Sequence, residues 1–155
     1  MTFELRPMTG DEAMSWFPKE MEDYVLERVR AGEDLEVTRK MVQEQSAEFA
    51  PGGVPAPSNH FFWQVDDDEV VGALWLGAPI PRAQSTWYVS FVVVEENFQG
   101  RGYGRAAMQA AEAFAKEQGG AYLGLNVFGH NPVARRLYDS LGYQAMATTM
   151  RKVLA

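Results

Sequence analysis

The chain has 155 residues, no cysteine, and a formal charge of −7 from 14 basic and 21 acidic side chains. That length gives a single domain, residues 1–155, with room for a core. The lack of cysteine excludes disulfides, thiolate metal sites and a cysteine-bound intermediate, and the acidity argues against a nucleic-acid partner, which calls for clustered lysine and arginine.

No apolar run approaches the roughly 20 residues that span a bilayer, and residues 1–10 lack a basic-then-apolar leader pattern. The expectation is a cytoplasmic protein with no membrane partner. An acidic surface attracts cationic or amine-bearing partners, or serves solubility alone.

In chain order, residues 2–6 alternate as a first strand that ends at Pro7, and Thr9 or Asp11 caps a helix with Glu12 in its first turn. Ala13, Trp16, Phe17, Met21, Tyr24, Val25 and Arg28 recur at helical spacing up to Gly32, while Pro18 is expected to kink or restart that helix. A second helix spans residues 34–49, and the Pro- and Gly-rich residues 51–58 form a loop that connects or lines a pocket.

Residues 60–65 and 70–76 read as a hairpin around four acids, Asp66 to Glu69, which suit a solvated turn better than a metal's oxygen shell. Residues 86–94 are a strongly β-prone strand, residues 101–118 a helix with Tyr103, Ala107, Ala110, Ala111 and Phe114 on its apolar face, and residues 122–127 a further strand. Strand, helix and strand make a right-handed crossover with parallel strands. A short helix follows from Pro132 to about Leu141, opened by Gly129, His130 and Asn131, and residues 143–154 are expected to finish the sheet.

Two stretches carry chemistry. The first is Val92-Val93-Val94 running into Gln99-Gly100-Arg101-Gly102-Tyr103-Gly104 and a helix. Unpaired N–H groups and the positive end of the helix dipole suit an anion, and glycine permits close approach, although a plain strand-to-helix bend has the same look. In the second, Asn131, Ala134 and Tyr138 form one helical stripe, with amide and phenol roughly 10 Å apart along the axis. Both junctions point to one end of the sheet, where ligands of α/β sheets bind.

In these two stretches the chain resembles the GNAT superfamily of N-acetyltransferases. Residues 99–104 match that family's Gln/Arg-x-x-Gly-x-Gly/Ala signature, and residues 131–143 match its Asn-x-x-Ala-x-x-Leu-Tyr-x-x-x-Gly-Phe/Tyr segment. The resemblance implies an α/β fold: a mixed, mainly antiparallel sheet of about six to seven strands, helices on both faces, and a splayed parallel strand pair at the cofactor site. It further implies acetyl-CoA as co-substrate and no metal. Gln99, Gly100, Arg101, Gly102, Tyr103 and Gly104 would wrap the pyrophosphate, with Arg101 and Arg105 adding charge. Val92, Val93 and Val94 would bond the pantetheine arm, Asn131 would hold it from the other side along the Ala134 stripe, and Tyr138 would protonate the departing thiolate.

Direct attack by an amine needs a base, and the family's glutamate position holds Asn126, which takes no proton. Glu95 is the leading substitute and equally suits a solvated strand end; Glu44 and Glu48 on the second helix are further candidates. The two histidines, His60 and His130, sit in no metal-type cluster, and His130 is expected to help open the last helix. The acceptor is a small-molecule, peptide or protein amine, and a homodimer through exposed aromatics such as Trp16, Phe17 or Trp87 is an open option. The alternative is a non-catalytic acyl-CoA-binding or sensory module; a dinucleotide fold fails because Arg105 stands where a third glycine would be required.

Overall fold

The computed structural model describes residues 2–49, 60–79 and 85–154. The expected loop at 51–58 and Pro81 lie outside them. Five strands form one sheet in chain order: β1 (Glu4–Pro7), β2 (His60–Asp67), β3 (Glu69–Gly77), β4 (Thr86–Val94) and β5 (Tyr122–Leu125). All neighbours are antiparallel except β4 and β5, which are parallel. The β2–β3 hairpin turns at Asp68 with φ 64°, a left-handed conformation that aspartate tolerates.

Alternation along the strands divides the sheet into two faces. Trp63, Val65, Leu74, Leu76, Trp87 and Val89 meet α3 (Tyr103–Glu117) through Ala107, Met108, Ala111 and Ala115, and α4 (Pro132–Ser140) joins the same core through Tyr138. Leu74, Leu76 and Met108 are fully buried, each contributing about 1.5–3 kcal/mol of apolar transfer. On the opposite face Phe17 and Met21 of α1 (Gly10–Arg30) pack on Trp75, Phe62 and Phe91, with α2 (Leu35–Phe49) against α1.

A capping box between Thr9 and Glu12 opens α1. Arg6 then ties that first turn to the sheet, at 2.6 Å from Glu12 and 2.8 Å from Asp66.

Several sequence expectations need correction. Among the described residues the sheet has five strands, not six to seven. Residues 143–154 form no strand, and Met146, Met150, Val153 and Leu154 are all exposed, Met146 at 93%. β5 offers only four residues of edge for a further strand to pair with. β5 itself stops at Leu125 rather than residue 127.

Pro18 neither stops nor restarts α1, which runs unbroken; the Met14 carbonyl that loses its donor lies on an exposed turn where water can replace it. Phe17 and Trp87 are not surface aromatics for a dimer, being 4% and 6% exposed, the first under Trp75 and the second edge-on to Phe114.

Candidate functional site

β5 pairs with β4 only from Thr86 to Val89, so the second half of β4 has no β5 neighbour. At the same point the β3–β4 register slips: Trp75 faces Phe91 and Leu76 faces Val89, leaving Ser90 as an extra residue. Such a bulge reverses the alternation. Before it Trp87 and Val89 enter the α3-side core; after it Val92 and Val94 do, while Phe91 turns to the α1 side.

Beyond Val94 the chain is held closely. Glu95 N–H donates to Val71 O at 2.8 Å, a 3-10 turn spans Glu96–Phe98, and Gln99 Nε2 donates back to Val94 O at 3.0 Å. Gly100 and Gly102 then take φ of 76° and 89°, and a Cβ at either would meet nothing within 4 Å. Gly102 caps α3 without any side-chain bond, and the first α3 backbone bond runs from Ala106 N–H to Gly102 O. The N–H groups of Tyr103, Gly104 and Arg105 therefore precede the helical ladder, beside open space of the kind a phosphate would fill.

The side chains of this turn have other tasks. Tyr103 is buried and donates its hydroxyl to Asp67 Oδ2 at 2.6 Å, which holds that carboxyl below its usual range, so only its backbone faces the turn. Arg101 lies over the Phe98 ring at 5.4 Å, and Arg105 Nη2 donates to Ser140 Oγ at 2.6 Å. Arg105 thus links α3 to the last turn of α4.

The expected helix stripe lies next to this turn. A Cβ on Gly104 would stand 3.5 Å from Leu137 Cδ2 and 3.9 Å from Val94 Cγ2, so the α3 entrance, the end of β4 and the middle of α4 converge. Asn131 caps α4, its Oδ1 accepting from Ala134 N–H at 3.2 Å, which leaves the Nδ2 group as its donor to a ligand. Tyr138 packs edge-on to Tyr143 with centroids 5.9 Å apart. Burial raises the Tyr138 pKa above the ordinary tyrosine value, so the phenol keeps its proton at neutral pH.

The candidate bases are placed differently. Glu95 Oε1 lies 3.7 Å from Lys19 Nζ of α1. Glu44 and Glu48 are on the exposed side of α2, and Asn126 is exposed just past β5. His60 accepts from Trp75 Nε1 at 3.1 Å inside the α1-side aromatic cluster, where burial lowers its pKa.

Two α1 residues that sequence reading missed face the same region. Glu20 is 8% exposed, its Oε1 has no hydrogen-bond partner, and its pKa is pushed up to about 7, by burial first and then by the charges of Asp23 and Glu95. Glu27 Oε2 is hydrogen bonded to His130 Nε2, 103 residues away. The available signal was the spacing of Glu20, Tyr24 and Glu27, which shares one helical stripe.

A mixed sheet with a parallel β4–β5 pair and a glycine turn opening α3 defines an α/β fold class, and the comparisons narrow it to acetyltransferases. The model of the Acetyltransferase (GNAT) family matches residues 14–143. YycN of Bacillus subtilis, described as an uncharacterised N-acetyltransferase, is 30% identical over 156 residues, covering 99% of this chain and 100% of that protein. YdgE of the same organism, likewise described, is 32% identical over 157 residues and 99% of each chain. The crystal structure of YycN superposes with a TM-score of 0.89 over 99% of both chains. AAC(6')-Iy, whose structure holds the bisubstrate analogue CoA-S-monomethyl-acetylneamine, shares the fold at a TM-score of 0.58 and 12% identity, over 100% of this chain and 99% of that one.

The chain belongs to the GNAT family of acetyltransferases. Its reaction class is therefore acetyl transfer. Among the described residues no helix is long and apolar enough to cross a membrane, and no group of three or more acidic or imidazole side chains could hold a metal.

Proposed function

We propose that residues 1–155 form one N-acetyltransferase domain that moves an acetyl group from acetyl-CoA to a primary amine by direct attack on the thioester. The observation that carries this reading is the convergence at Gly104 of the α3 entrance, Val94 and Leu137. A diphosphate would take the N–H groups of residues 100–105, with the glycines leaving it room. The pantetheine amides would add along Val92, Val93 and Val94 as a partner strand does, in the space that β5 leaves free. Asn131 Nδ2 would hold the arm from the α4 side, next to Ala134.

An N–H near Val94 polarises the thioester carbonyl, and the half-buried Tyr138 phenol supplies a proton to the thiolate as it leaves. With no cysteine in the chain the usual acyl-enzyme route has no nucleophile. Glu95, the base suggested by the sequence, is engaged by Lys19.

The test is release of CoA thiol from acetyl-CoA against a panel of peptides with free N-termini, spermidine and an aminoglycoside. Amine-dependent release is expected. Stoichiometric acetyl-CoA binding with no release on any panel member would overturn the reading in favour of a binding module.

A further inference from the structure

The stripe Glu20, Tyr24 and Glu27 on α1 faces the end of β4 and the loop between β5 and α4. Lys19 beside it reaches Glu95, the Tyr24 ring lies 6.3 Å from that of Phe128, and Glu27 bonds His130. The His130 imidazole is fixed in two directions. Its face stacks on Phe128, 5.4 Å between centroids and 20° between planes, and its Nε2 edge meets the Glu27 carboxylate. An imidazole that donates Nε2–H to a carboxylate carries its lone pair on Nδ1, the tautomer of a base.

Position favours His130 over the other proton acceptors. It immediately precedes Asn131, the cap of the helix that carries Tyr138. Its side chain is 24% exposed, accessible to a substrate, whereas the unpartnered Glu20 oxygen is sealed and Glu95 is engaged by Lys19.

We propose that His130, oriented by Glu27, is the general base that takes the proton of the acceptor amine. The proposal rests on the acetyl-transfer reading above. The amine lone pair forms the N–C bond at the thioester carbonyl, and the C–S bond breaks with its electron pair on sulfur. Sulfur takes the Tyr138 proton while the nitrogen's proton passes to His130 Nδ1, and Glu27 balances the imidazolium. Exchange with solvent restores both side chains.

Glu27 is the positioning residue. The other groups facing the pair are Arg30, 4.0 Å from the second Glu27 oxygen, and Tyr24 on α1, with Tyr88 of β4 near enough to Tyr24 for its pKa to be raised by it as well as by burial. On α4 itself Arg135 is paired with Asp139 at 3.0 Å.

The experiment measures kcat and KM against pH for wild type, His130→Gln and Glu27→Gln, using whichever of spermidine, the aminoglycoside or the peptide turns over. His130→Gln should lower kcat roughly 100-fold or more, abolish the acid limb and leave the acetyl-CoA KM unchanged. Glu27→Gln should retain the acid limb and show a smaller loss of kcat. Independently of turnover, the chain has only two histidines. Adding the same amine to the wild-type protein should therefore shift the His130 imidazole resonances in an NMR spectrum and leave those of His60 in place. An active wild type with an unaltered rate and acid limb in His130→Gln overturns the His130 role alone. A wild type that binds acetyl-CoA and acetylates no amine overturns the transfer reading and the His130 role together.

Discussion

Gln99 Nε2 donates to the Val94 carbonyl at 3.0 Å, folding the first residue of the glycine turn back onto the end of β4. The amide that opens the family signature therefore shapes the turn from within. Gln99→Ala removes one hydrogen bond, about 1 kcal/mol, and should raise the acetyl-CoA KM roughly fivefold with kcat nearly unchanged. Steady-state kinetics at saturating amine checks this.

Gly102 holds φ 89° at the cap of α3 with open space where a Cβ would project. Gly102→Ala should cost about 1 kcal/mol of stability from the left-handed backbone and also place a methyl group in the path of the proposed diphosphate. Calorimetric titration should find CoA affinity reduced more than roughly fivefold, a loss that strain common to the free and bound protein does not produce. Equal affinity for the two proteins would remove Gly102 from the pyrophosphate site.

Tyr138 is a neutral phenol in a half-buried setting, with its pKa raised by desolvation. Tyr138→Phe keeps the ring packing on Tyr143 and deletes the proposed proton donor. The expected result is a kcat lowered roughly 100-fold with CoA affinity unchanged. An unchanged rate would take Tyr138 out of the mechanism.

Stability should vary with pH in two opposite senses. Glu20 has its folded pKa raised to about 7, so its stabilising protonated form is fully present below the unfolded value of 4.5 and is lost as pH rises through 7. The loss is on the order of 3 kcal/mol. Glu12 has its pKa lowered to about 2, first by its bond to Arg6, so its contribution is present above 4.5 and lost as pH falls towards 2. Urea unfolding should therefore find maximal stability near pH 5 and a decline towards pH 8. Glu20→Gln should flatten the upper decline, and Glu12→Gln the acid one.

The glycine turn and the helix stretch 131–138, where the proposal places the donor, were legible as local structure because their determinants are local. Gln99 to Gly104 and Asn131 to Tyr138 each carry their geometry within one turn or one helix, and the hairpin at Asp68 and the Thr9 cap are equally short-range. The proposed acceptor side depends on pairings across the fold. Glu27 and His130 are 103 residues apart, and the Ser90 bulge is a property of two strands in register. The last strand was misread because β5 offers only four residues of edge, and residues 143–154 take no strand conformation, leaving Met146, Met150, Val153 and Leu154 exposed. The resemblance raised the expected strand number for the same reason: a family pattern carries strand propensity, while pairing needs an available edge.

The most direct measurement follows an isotopically labelled acetyl group from acetyl-CoA in single-turnover reactions with an amine from the panel that supports thiol release. The account predicts label on the amine nitrogen, in step with CoA thiol release, and none on the protein. Label trapped on the protein, or bound acetyl-CoA that never yields a labelled amide, would contradict it.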